Sequence, residues 1–244
     1  MSRMFPFITT TWNPLGGRCP HRCIYCWSQS EKGLVIRLNM QKYQGEPRLI
    51  EKELNRRFKP GEFVFVQDMS DLFAENVPAA LISKVLRKIK QFPKTTFLLQ
   101  TKNPRRYIQF LLLNQIPRNA ILGVTVETST STFNTPSKFT SYEEISSAPL
   151  PVFRLSWIHA ISSSRIPHVN RRIFVSIEPV LDFDLEVFVA CIKAVKPWAV
   201  AVGYDNYNHK LPEPPLEKTL KLIEELEKFT KVYRKTLRKA WWEN

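Results

Sequence analysis

Three of the four cysteines in this chain fall within eight residues, in the run Cys19-Pro20-His21-Arg22-Cys23-Ile24-Tyr25-Cys26-Trp27. Thiols this close along the chain cannot staple distant parts of a fold, and such a cluster points to a metal or to redox chemistry. Three thiolates from one short loop can ligate three irons of a four-iron cube. The fourth iron is then open to an outside ligand, whereas ordinary electron carriers saturate every iron with cysteine. An incomplete set is what substrate-facing cluster chemistry requires. A structural zinc site would want a fourth ligand, and His21 lies too close along the chain to complete a tetrahedron comfortably. Cys23 and Cys26 could form a redox pair, but Cys19 would then be unexplained. Cys191, in the apolar run FVACIKAV, reads as a buried and inert thiol.

Further candidates come from the ends of apolar, β-branched runs. Five are plain: Phe63–Met69, Thr95–Lys102, Ile121–Thr128, Arg172–Pro179 and Ala199–Tyr204, with a sixth, Phe7–Trp12, ahead of the cysteines. Short, continuously apolar runs suit strands buried on both faces of a parallel sheet. Helical patterns separate them at Pro47–Phe58, Pro78–Phe92, Pro104–Gln115, Leu150–Ser163 and Leu185–Val195, several opened by proline. This alternation implies right-handed βα units. Six units suggest an α/β fold built as an incomplete (β/α)6 barrel of parallel strands, with the whole chain, 1–244, as one domain.

In such folds the loops after the strands carry the site. Here they bring Asp68, Ser70 and Asp71 from one strand, Lys102 from the next, then Glu127, Glu178 and Tyr204. Lys102 suits a carboxylate or phosphate, with a surface cation as the plain alternative. A glutamate after four apolar residues is rarely buried without purpose, so Glu178 reads as a cofactor or substrate ligand in preference to a structural ion-pair member. Asn13 stands at the start of the cysteine loop, 13–30. A Ser, Thr and Pro-rich stretch, 129–151, reads as a flexible insertion. The C-terminal segment 213–242 reads as a long amphipathic helix from Leu216 to Trp242, with Lys228, Lys231, Lys235 and Arg238 as a basic stripe.

The 36 Lys and Arg against 22 Asp and Glu give a formal charge of +14. That excess favours nucleic acid or another polyanion as a partner, although a basic proteome or a heat-adapted surface would also produce it. The best apolar stretch, Leu185 to Gly203, is broken by Lys193, Lys196 and Pro197, so no membrane helix is expected. The N-terminus lacks a signal peptide's apolar core. A cytoplasmic protein with no membrane partner is the expectation. With seven glycines and no nucleotide-binding glycine loop, an ATP-dependent activity is disfavoured.

The CxxxCxxC spacing, with Tyr25 before the third cysteine, resembles the radical S-adenosylmethionine superfamily. The resemblance implies a 4Fe-4S cluster on Cys19, Cys23 and Cys26, with S-adenosyl-L-methionine chelating the open iron. It implies reductive cleavage to a 5′-deoxyadenosyl radical that abstracts hydrogen from a substrate, and hence a reducing electron donor as a partner. Tyr25 matches the aromatic that packs beside adenine in that superfamily. Glu127 and Thr125 match positions that contact ribose hydroxyls. Where the superfamily often has Gly-Gly-Glu for the methionine amino group, this chain has Gln67-Asp68-Met69-Ser70-Asp71, and Asp68, Ser70 or Asp71 could supply the acceptor.

The blocks TWNPLGGRCPHRCIYCW, MSDLF, TKNPRR, LGVTVET and SIEPVLD are collinear with, and similar to, a group of phage, bacterial and archaeal radical S-adenosylmethionine proteins distantly related to spore photoproduct lyase. Where that group often shows Gly-Gly-Glu-Ser, this chain reads Val202-Gly203-Tyr204-Asp205, so Tyr204 either lines a substrate pocket or packs. The expectation is a radical enzyme acting on a nucleic acid or other macromolecule. The alternatives are a radical enzyme for a small metabolite and a non-catalytic, metal-containing nucleic-acid-binding protein.

Overall fold

The structure, a computed structural model, describes residues 4–164 and 172–244. Its seven-stranded sheet is parallel throughout and runs β1 (Thr10–Trp12), β4 (Phe63–Val66), β5 (Thr96–Thr101), β6 (Ala120–Thr125), β7 (Ile173–Ile177), β8 (Ala199–Val202) and β9 (Lys231–Arg234). A separate two-stranded ribbon pairs β2 (Leu15–Gly16) with β3 (Arg48–Leu49). Helices α3 (Ala79–Lys90), α4 (Arg105–Leu112), α5 (Pro151–Ser163), α6 (Leu185–Val195) and α7 (Leu216–Glu227) cover the outside of the sheet, and single turns form α1 (Leu34–Arg37) and α2 (Glu51–Leu54). The sheet curves into a half-barrel, as the alternation of runs implies. Among the described residues, no helix is long and apolar enough to cross a membrane.

The two faces of each strand separate two cores, because successive side chains alternate. Val64, Phe97, Leu99, Leu122, Val175 and Val200 face the helices. Phe65, Leu98, Ile121, Phe174, Ala199 and Ala201 face inward, where Phe5 and Ile8 fill the base of the half-barrel. The Phe7 ring lies 4.8 Å from Phe63 and 5.0 Å from Tyr233, touching strands near opposite edges of the sheet. Each fully buried apolar side chain of this plug contributes about 1.5–3 kcal/mol. It closes the base and leaves the carboxyl ends of the strands as the open face.

Three expectations need correction. The helix expected over Pro47–Phe58 is only the turn Glu51–Leu54. Beyond it, Arg56 Nη1 donates to the Thr11 carbonyl at 2.6 Å, and the Phe58 ring packs against Trp12, Phe92 and Phe97. The C-terminal helix ends at Glu227, not near Trp242. Val232 and Tyr233 suit a strand, and Lys231–Arg234 pairs in parallel with β8, making seven strands in place of six. The expected basic stripe is thereby divided among α7's end, β9 and the tail. Finally, the stretch 129–151 is packed down: Thr132 bridges Ser141, and Phe133, Tyr142 and Ile145 share a core with Cys23, Tyr25, Leu181 and Leu211.

Candidate functional site

The cysteine loop follows β1 and is braced from below by the β4 end. Gln67, with φ of 65°, turns there so that its amide bridges Leu15 N–H and C=O, each at 2.9 Å. The same Gln67 Nε2 donates to Ser70 Oγ at 2.8 Å. Asn13 Nδ2 donates to Asp68 Oδ1 at 2.5 Å, and Met69 N–H to Asn13 Oδ1 at 3.1 Å. Gln29 closes the loop on itself, accepting from Cys19 N–H at 2.7 Å and donating to the Met69 carbonyl at 2.9 Å. Gly17, with φ of 103°, passes so close that a Cβ would lie 2.6 Å from the Glu46 carbonyl.

Asp71 is the loop's main anchor. His21 Nε2 lies 2.8 Å from its Oδ2, which also accepts from Thr101 Oγ1 at 2.9 Å and Lys102 N–H at 2.8 Å. Phe73 N–H takes Oδ1 at 2.8 Å. Burial alone would raise the Asp71 pKa; the hydrogen bond and charge of His21, with the other donors, outweigh it and hold the pKa below its ordinary value. Both oxygens thus accept from the protein, and Asp71 positions the loop. Asp68 differs. Asn13 is its side-chain partner among the described residues, and burial raises its pKa against the opposing bonds from Asn13 and from its own backbone N–H.

Tyr25, Lys102 and Glu127 come together as the strand ends suggest. Glu127 is fully buried. Its Oε1 receives the Tyr25 hydroxyl, the Lys102 ammonium and, at 3.2 Å, the Tyr142 hydroxyl. Its Oε2 receives Arg154 Nη1 at 2.8 Å. Burial would raise the Glu127 pKa, and the Arg154 and Lys102 charges instead hold it far below the carboxylate range. Burial lowers the Lys102 pKa, but Glu127 more than restores it. Burial also raises Tyr25, so its hydroxyl stays a donor. Residue type and spacing did not single out Arg154 or Tyr142. The sign was available, since Arg154 interrupts the buried face of an otherwise apolar helix.

Glu178 stands apart, at the end of β7. Among the described residues it has no hydrogen-bond partner; burial raises its pKa and Lys235 partly offsets this. A Cβ on Gly203 would sit 3.5 Å from Glu178 Oε1 and 2.7 Å from Lys235 Cβ, so glycine keeps this corner open. On β5, Gln100 Nε2 donates to Thr125 Oγ1 at 2.9 Å, while its buried Oε1 lacks a partner among the described residues. Tyr204 is packed: it is fully buried, and its hydroxyl donates to the Pro214 carbonyl at 3.0 Å.

The three loop thiols are free. Cys23 Sγ lies 3.1 Å from Ser146 Oγ, and Cys26 Sγ accepts from Gln29 N–H at 3.3 Å. Burial pushes the Cys19 thiol well up, with Asp71, Cys23 and Cys26 adding to it. A bound cation is what would deprotonate thiols so placed. As arranged here, no group of three His, Cys, Asp or Glu side chains among the described residues is gathered tightly enough to hold a metal ion. The fit to a cluster therefore rests on the donor set: three free thiols on one braced loop, one of them accepting a backbone N–H and another beside a hydroxyl.

A family model described as "Protein of unknown function (DUF5131)" matches residues 4–144. No curated protein matches the chain. A solved spore photoproduct lyase variant with bound AdoMet and dinucleoside spore photoproduct shares the fold, with a TM-score of 0.52 and 11% identity over 93% of this chain. A second variant of that lyase gives 0.47 at 11% identity, covering 91% of this chain and 62% of its own. The chain spans 65% of the length of the first. At this identity the likeness is one of fold.

Proposed function

The chain belongs to the DUF5131 family of proteins of unknown function, and from that premise we propose that it is a radical S-adenosylmethionine enzyme with a 4Fe-4S cluster. The observation that carries the reading is the set of free thiols Cys19, Cys23 and Cys26 on a braced loop at the open end of a parallel half-barrel. These three would hold the cluster. When bound, the cluster and S-adenosylmethionine supply a 5′-deoxyadenosyl radical for hydrogen abstraction. The fold shared with spore photoproduct lyase supports this, and the collinear sequence blocks support placement in the phage, bacterial and archaeal group.

The chain's own residues have separable tasks. The Asp68 carboxylate, with fewer protein partners than Asp71, is the acceptor beside the loop that suits the methionine amino group. Tyr25 is fixed for adenine contact by its bond to Glu127, and Lys102 is neutralised by the same carboxylate. Glu127 acts through these partners and is a positioning residue. Glu178 and Gln100 offer unpartnered acceptors to a substrate on the inner face. Phe133, Tyr142, Leu181 and Leu211 wall Cys23 and Tyr25 from water. The substrate is proposed to be a nucleic acid or other macromolecule, a reading supported by the charge of +14 and by the dinucleoside bound in the lyase.

The test is anaerobic reconstitution with iron and sulfide, then dithionite reduction with S-adenosylmethionine. The expected product is 5′-deoxyadenosine, lost in Cys19→Ala, Cys23→Ala and Cys26→Ala. A protein that takes up only zinc, or a cluster that never cleaves the cofactor, would refute the proposal.

A further inference from the structure

Charge is divided unevenly along the chain. Residues 1–118 hold 20 Lys and Arg against eight Asp and Glu, while residues 119–244 hold 16 against 14. Pairing is uneven in the opposite sense. In the C-terminal part, Lys218, Lys221, Lys228, Arg234 and Arg238 each meet a carboxylate. Among the described residues from Arg18 to Arg106, Lys102 alone of the Lys and Arg does so, and that pair lies inside the site.

Some of these cations are drawn together beside α3. Arg56 lies 5.2 Å from the Phe58 ring centre, Phe58 packs edge-on to Phe92 at 5.1 Å, and Lys88 lies 5.0 Å from the Phe92 ring. This aromatic pair holds the segment after α2 against the end of α3. Gly61 N–H donates to the Lys94 carbonyl and Thr95 Oγ1 to the Lys59 carbonyl, each at 2.9 Å, which fastens the two loops together. Exposed Arg57 and Lys59 are thereby grouped with Lys94 and with the Lys84, Arg87 and Lys88 face of α3. Of the acidic residues here, Glu62 accepts from Lys59 N–H at 2.8 Å, and Glu51 and Glu53 form no ion pair among the described residues.

We infer that this face binds the phosphate backbone of a nucleic acid duplex. Unpaired like charges held side by side repel, and a polyanion with a charge every ~1.7 Å of its axis relieves that repulsion. Phe58 and Phe92 pack on each other and are not presented as stacking platforms, so the surface is unlike a single-strand binder's. An anionic membrane would call for apolar side chains inserted among the cations, and no exposed large hydrophobic lies between residues 51 and 94. Most of the C-terminal basic stripe is committed within the protein: Lys228 and Arg238 are ion-paired, and Lys235 Nζ donates to the Met4 carbonyl at 2.8 Å. The inference names a partner for the macromolecular reading above, but it rests on the surface and not on the cluster.

The experiment titrates the full chain, without reconstitution, into a labelled DNA duplex of about 20 base pairs across a salt series, read by fluorescence anisotropy. The triple variant Arg57→Glu, Lys59→Glu, Lys84→Glu is expected to weaken low-salt binding by about tenfold or more. It should lower the salt slope by roughly 3, at about 0.9 per lost phosphate contact. The reversal Lys221→Glu, Lys228→Glu should leave both unchanged. If charge reversal unfolds the chain, the corresponding Gln variants give the same ordering. Absence of salt-dependent duplex binding, an equal loss in the control, or binding to phosphatidylserine vesicles but not to duplex would overturn the inference. Since no cofactor is involved, its failure would be distinct from a failure to form 5′-deoxyadenosine.

Discussion

Arg154 Nη1 donates to Glu127 Oε2 at 2.8 Å, and neither side chain has any exposed surface. The bond joins helix α5 to the carboxyl end of β6, and the same carboxylate holds Tyr25 of the cysteine loop. Removing Arg154 leaves Glu127 Oε2 without its donor in a dry interior, while Lys102 still neutralises the carboxylate through Oε1. Arg154→Met is therefore expected to lower the unfolding free energy by about 1–3 kcal/mol. The double variant Glu127→Gln, Arg154→Met should cost less than the two single losses together, as measured by urea denaturation. Strict additivity would show that the pair is not coupled.

Much of this arrangement was legible because apolar runs and their polar ends are local properties. The five plain strands and the helices α3 to α6 stand where the runs place them, and the ends of β4, β5 and β6 meet at the cysteine loop. What failed was non-local. Leu222 and Leu226 recur at helical spacing, but Tyr233 is drawn inward against Phe7, and no periodicity reports that competition. Asp68 and Asp71 are equivalent by type, and only the partners Asn13, His21, Thr101 and Lys102 separate them. Stretch 129–151 is loop-like in composition, yet Phe133, Tyr142 and Ile145 anchor it.

Glu178 should make stability depend on pH in a predictable sense. Burial raises its folded pKa above the ordinary 4.5, so its protonated form is favoured by folding. That contribution is present below the unfolded value and is lost as pH rises through the folded one. Glu178→Gln is expected to raise the urea midpoint near neutrality and to leave it unchanged below about pH 4. A loss of stability at neutral pH would mean that Lys235 dominates the site.

Gly203 tests the open corner beside Glu178. An alanine Cβ would fall 2.7 Å from Lys235 Cβ and 3.2 Å from Thr236 N, both on the chain just after β9. Gly203→Ala should therefore cost about 1–3 kcal/mol through overpacking. Thermal unfolding measures it, and a variant as stable as the parent would show that β9 moves freely away.

The two aspartates after β4 should fail differently. Asp71 takes four hydrogen bonds, from His21, Thr101, Lys102 N–H and Phe73 N–H, so Asp71→Asn cannot accept from all of them. Leaving buried donors unmatched costs about 1–3 kcal/mol each, and the loop they hold should lose iron on reconstitution. Asp68 has fewer partners, Asn13 and its own backbone N–H, and so keeps acceptor capacity for a ligand. Asp68→Asn should keep its stability and iron content while weakening S-adenosylmethionine binding about tenfold, the loss of one charge-assisted bond. Iron analysis, urea denaturation and calorimetric titration of the cofactor separate the cases. Equal effects in the two variants would remove the distinction between the residue that builds the loop and the residue that meets the ligand.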